Sequence, residues 1–93
     1  MKDRITKEKI ERYFRITSEA LEKARKSMVN EKEEDAKEII EMVENYLSDA
    51  EYFEKKGDLV NAFGAINYAH GWLDSGVRLD VFKAKDNRLF TIK

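Results

Sequence analysis

From Leu59 to Leu73 the chain runs through fifteen residues without an Asp, Glu, Lys or Arg, although 40% of its 93 residues are charged. Such a run is longer than an ordinary strand and shorter than a membrane span. It therefore reads as a helix, and the missing charge predicts that this helix is central and the most buried element of the fold. The preceding Lys55-Lys56-Gly57-Asp58 is a strong turn signal. It places cations at a helix C-terminus, a glycine for the left-handed cap and an Asp to cap the next helix.

Two amphipathic stripes precede that turn. Ile10, Phe14, Thr17, Leu21, Ala24 and Met28 recur every three or four residues, as do Ala36, Ile40, Val43, Leu47, Ala50 and Phe53. This is the period of a helix with one face in a core. Thr6 is placed to cap the first helix, and Glu33, Glu34 and Asp35 favour the positive end of the second. The break between them falls at Val29-Asn30-Glu31, where Asn30 tolerates a left-handed cap. After Phe82 a turn over Lys83-Ala84-Lys85-Asp86-Asn87 leads into Leu89-Phe90-Thr91-Ile92, whose aromatic and β-branched content predicts a short extended tail that docks on the bundle. The expected architecture is all-α: one domain over residues 1–93, an antiparallel three-helix bundle with helices at about 6–28, 34–56 and 58–82 and an extended C-terminal tail from 83 to 93.

Composition narrows the chemistry. Cysteine is absent, which removes disulfides, thiolate metal sites and cysteine nucleophiles. Proline and glutamine are also absent while Lys and Glu abound, a bias shared with thermophile proteins. No 18-residue apolar run is present, and Met1-Lys2-Asp3-Arg4 leads into mixed charge instead of a signal-peptide core, so a cytoplasmic, non-membrane protein is expected. Charge is segregated: nine Lys/Arg against five Asp/Glu in residues 1–28 (+4), four against eleven in 29–58 (−7), and five against three in 59–93 (+2). The basic Lys2, Arg4, Lys7, Lys9, Arg12 and Arg15 have the composition of a phosphate-binding stripe. The acidic second helix is the simpler partner for them, which argues against nucleic acid and predicts that the first two helices lie side by side.

Gly57-Asp58, Asn61-Ala62 and the string Tyr68-Ala69-His70-Gly71-Trp72-Leu73-Asp74-Ser75-Gly76-Val77-Arg78-Leu79, with Leu89-Phe90-Thr91-Ile92 beyond, resemble an uncharacterised archaeal family known as domain of unknown function 357. The likeness is strongest over residues 57–92. It implies a small, helical, cytoplasmic archaeal protein and brings no activity with it. Tyr46, Ala50, Phe53, Ala62, Ile66 and Ala69 also sit at the spacing of large and small residues in a tetratricopeptide helix pair. A single copy is not an array, so that resemblance implies shared packing geometry and at most protein or peptide binding.

No catalytic residue, metal ligand set or cofactor motif emerges. His70 is the sole histidine, with Asp74 four residues on and within reach on the same helix face; Ser75 points elsewhere on the wheel, so no triad follows. Glu34, Glu38 and Glu41 share a face without the glycine and alternating ligands of a calcium loop, and read as a solvated acidic surface. Gly64 and Gly71 lie inside a helix, not between a strand and a helix as a phosphate loop requires. At 100° per residue they fall opposite the apolar arc, beside Asn67, Asp74, Ser75 and Arg78. Each glycine costs a helix about 1 kcal/mol relative to alanine, so a close neighbour is expected there: the protein's own tail first, then a second protein or subunit, then a small ligand. Gly64, Asn67, His70, Gly71, Asp74, Ser75 and Arg78 are thus the candidate binding residues. The leading function is a protein-interaction or structural module; the alternative is a small-molecule binder or cryptic enzyme using Asn67, His70, Asp74 and Arg78.

Overall fold

The computed structural model describes residues 4–84, 86 and 88–90. It holds three helices, α1 (Lys7–Arg25), α2 (Glu33–Lys55) and α3 (Leu59–Arg78). The Thr6 side chain accepts from the Lys9 amide at the start of α1, and Asp58 accepts from the Asn61 amide at the start of α3. Gly57 takes φ +77° between α2 and α3, so the tight hairpin forms as its residues require. Between α1 and α2 the left-handed residue is Glu31 (φ 75°), one position beyond the expected Asn30.

α2 and α3 form the most extensive helix pair, α1 leans chiefly on α3, and α1 and α2 meet least. α3 is therefore central, with its start beside the start of α1 and the end of α2: Ile10, Ala50, Ala62 and Ile66 form one apolar cluster at that end. A larger cluster joins Ala20, Leu21 and Ala24 of α1, Ala36, Ile39, Val43 and Leu47 of α2, and Ala69 and Leu73 of α3. The expected charge seam between α1 and α2 is reduced, among the described residues, to Arg25 Nη2–Glu44 Oε2 at 2.6 Å, because α1 packs mainly on α3, whose Leu59–Leu73 stretch carries no charge.

α3 ends at Arg78, four residues before the expected limit. Asp80 adopts φ 59°, and the amides of Val81 and Phe82 both donate to the Gly76 carbonyl (2.8 and 3.3 Å). This reversal drives Val81 and Phe82 into the larger cluster. Met28 pairs with Phe82 in an isolated antiparallel bridge, which also ends α1 early. The tail is docked, but Leu89 and Phe90 are not extended: their amides return to the Asp86 carbonyl at 3.0 and 2.8 Å in a turn. Both side chains are buried in the larger cluster. Thr91 and Ile92 lie outside the described residues.

α3 leaves fewer of its residues exposed than α1 or α2, in line with its central place, but its fully buried set is no larger than theirs. It buries five residues (Ala62, Ile66, Ala69, Leu73 and Gly76), and α1 and α2 each bury five. Tyr68 and Leu79 are 59% and 67% exposed, and Val60 is 71% exposed. Absence of charge on α3 marks burial on one side only.

Candidate functional site

The inward side of α3 is built from small residues: Ala62 and Ala69 let the neighbouring helices approach, and Gly76 makes room for Phe82. The outward side is unusual for this protein. Val60, Gly64, Asn67, Tyr68, Gly71 and Ser75 are exposed and uncharged, and Arg78 closes the row at the last turn. Gly64 and Gly71 have nothing within 4 Å of where a Cβ would stand. The described part of the tail lies elsewhere, against α1, where Asp86 pairs with Lys23 (3.6 Å) and Arg88 with Glu19 (3.3 Å). Tail coverage of the two glycines, ranked first from the sequence, is thus not what the described tail residues do. Their apolar side chains find a better seat in the core.

A shallow groove of about 440 Å³ runs along this face, lined by Asn67, Tyr68, Gly71, Trp72 and Ser75. Gly71 forms a bare floor, Ser75 turns its hydroxyl back to the Gly71 carbonyl (2.9 Å), and Tyr68 is held from the α2 side by Tyr46, with ring centroids 4.7 Å apart. The Trp72 Nε1–H is buried and lacks a hydrogen-bond partner among the described residues. These features give the groove aromatic and small neutral surfaces and no formal charge.

His70 and Asp74 sit at the edge facing α1. The His70 Nε2 lies 3.9 Å from Asp74 Oδ1, an ion-pair distance only when the ring is protonated. Its Nδ1 lies 3.0 Å from the hydroxyl of Thr17, a contact across 53 residues of sequence. Read alone, hydroxyl, imidazole and carboxylate resemble the parts of a nucleophilic triad. Thr17 is 2% exposed, however, so no substrate carbonyl reaches it. The three side chains tie α1 to α3. Thr17 was legible only as one member of the α1 stripe, because nothing local links it to His70.

Elsewhere the candidates separate. The α1 cations turn partly onto the protein's own rings: Lys9 Nζ stands 5.8 Å from the Tyr13 centroid and 5.9 Å from that of Phe63, and the Arg12 guanidinium stands 5.4 Å from Tyr13. Glu34, Glu38 and Glu41 are exposed, and no group of three or more potential ligands among the described residues is gathered to hold a metal. No helix among the described residues is long and apolar enough to cross a membrane.

No curated protein and no solved structure matches the chain. A family model described as protein of unknown function (DUF357) matches residues 12–82, which takes in most of α1 and all of α2, α3 and the return to Phe82. The chain belongs to the DUF357 family.

Proposed function

We propose that this protein is an interaction module that presents the outer face of α3 to another protein. One observation carries the reading: the face is solvent-exposed yet uncharged through Val60, Gly64, Asn67, Tyr68, Gly71 and Ser75, in a chain that is 40% charged. A face that served only solubility would be better built from Lys, Glu and Ala, which also favour the helix. Two glycines with open space above them let a partner backbone approach closely. Loss of charge with retention of aromatics is the composition of an interface centre.

The test is site-specific photo-crosslinking in the cells that make the protein, with the photoreactive residue at Asn67 or, as control, at Glu38 on the acidic face of α2. The reading predicts one discrete protein adduct from position 67, lost on Gly71→Arg, which places bulk and charge in open space without touching the core. Equal, diffuse labelling from both positions would contradict it.

A second reading is a small-molecule binder using Asn67, which lines the groove, with His70, Asp74 and Arg78 beside it on α3. On that reading the purified chain carries a ligand releasable by denaturation, and Gly71→Arg abolishes it. His70 acts there as a positioning group held by Thr17, not as a base acting on a nucleophile.

A further inference from the structure

The outer face of α3 has two unlike edges. Along α2 the edge is aromatic, where Tyr46 packs on Tyr68. Along α1 it is cationic. Phe63, three residues after Val60 and four before Asn67, sits beside both on the α3 surface, and its ring meets that of Tyr13 with centroids 5.4 Å apart, which joins α1 to α3 at this edge. Lys9 stands over both rings, and the Arg12 guanidinium stands over Tyr13. Neither cation is in an ion pair among the described residues. The rings hold the two side chains in place, yet leave their charge without a counter-charge and their N–H groups available to an acceptor. Residues 4–15 carry five cations, Arg4, Lys7, Lys9, Arg12 and Arg15, against Glu8 and Glu11. The acidic α2 does not offset this excess: it meets α1 least, and among the described residues Arg25–Glu44 is the pair that joins the two helices.

We infer that the partner of this face is an acidic protein segment, whose carboxylates meet Lys9 and Arg12 while its uncharged side lies over Gly64, Asn67 and Gly71. The inference rests on the reading of the α3 face as a docking surface and adds the partner's charge and orientation to it. A cationic rim beside an uncharged centre steers an acidic partner and fixes which of its sides faces α1. Single-stranded nucleic acid, the other polyanion, fits less well. It needs open aromatic faces on which bases stack, whereas Tyr13 and Phe63 are half-buried, packed on each other and covered by the two cations.

Photo-crosslinking from position 67 of the full chain, in the cells that make it, tests the inference when charge variants are added. Lys9→Glu with Arg12→Glu should cut the adduct at least about tenfold, because like charges then meet across the interface. Lys9→Arg with Arg12→Lys should leave it within about twofold, and Lys9→Gln with Arg12→Gln, which keeps the stems and removes the charge, should fall between. Circular dichroism of each purified variant checks that the helices stay folded. The cross-linked peptide, sequenced by mass spectrometry, should carry net negative charge. An adduct that survives charge reversal undiminished, yet is lost on Gly71→Arg, would overturn the acidic partner and leave the α3 reading standing. A neutral or basic cross-linked peptide, or an adduct that nuclease removes, would overturn it as well. No discrete adduct from position 67 in any variant would overturn both.

Discussion

The ring of Phe82 occupies the place of a side chain at Gly76: a Cβ built there would lie 2.5 Å from Phe82 Cε2 and 3.2 Å from Ile39 Cδ1. Phe82 is 1% exposed and one of the largest fully buried side chains. Gly76→Ala should therefore destabilise the protein by about 1–3 kcal/mol, overpacking outweighing alanine's better helix propensity. Urea denaturation of the single variant checks it, and an unchanged or higher midpoint would show that the plug is loosely seated.

Thr17 and His70 should behave as a coupled pair. Thr17→Val keeps the shape but removes the hydroxyl facing Nδ1, leaving a part-buried ring nitrogen without that partner. A loss of about 1–2 kcal/mol is expected, with Thr17→Ser closer to the parent. Thr17→Val combined with His70→Leu should cost less than the sum of the single changes, since removing both partners leaves nothing orphaned. Strict additivity in that cycle would mean that the contact contributes nothing.

Acid should act through Asp86. The backbone N–H of Arg88 above all, with the charges of Arg88 and Lys23, holds its carboxyl below the ordinary value of 3.8. A carboxyl depressed in the folded state stabilises above its unfolded value, and that contribution is lost as pH falls through the folded one. Between neutrality and about pH 4 Asp86→Asn should therefore be less stable than the parent by a constant margin, and the gap should narrow below that. Urea midpoints across pH 2.5–7 measure it; a gap that widens on acidification would have the wrong sign.

Much of the scaffold was readable before any coordinates. Thr6, Gly57 and Asp58 cap helices because their chemistry suits a terminus wherever one occurs, and the α1 and α2 stripes follow from a 3.6-residue period. The sites of failure were long-range. Glu31 and Asp80 take left-handed φ angles that no glycine announces; Asp80 does so because Val81 and Phe82 must turn inward. The Thr17–His70 contact joins two helices through packing, which periodicity does not encode. Charge on α3 misled in a more instructive way. A residue without charge is cheap to bury, but Val60, Tyr68 and Leu79 show that it need not be buried in its own chain. The candidate face on α3 was found from the position of Gly64 and Gly71; that it lies open, with Leu89 and Phe90 seated in the core, could be learned only from the folded chain.

The central claim, that the outer face of α3 is built for a partner and not for the monomer, is tested most directly by measuring folding stability and association on one variant, Gly64→Ala with Gly71→Ala. Both positions open into free space, so each alanine should add up to about 1 kcal/mol to the stability of the isolated chain. The same variant should lose the adduct formed from position 67, because two methyl groups now hold the partner's backbone away. A more stable protein that associates less is the predicted result. A variant that gains stability and keeps its adduct undiminished would contradict the account, as would one that is destabilised as an isolated chain.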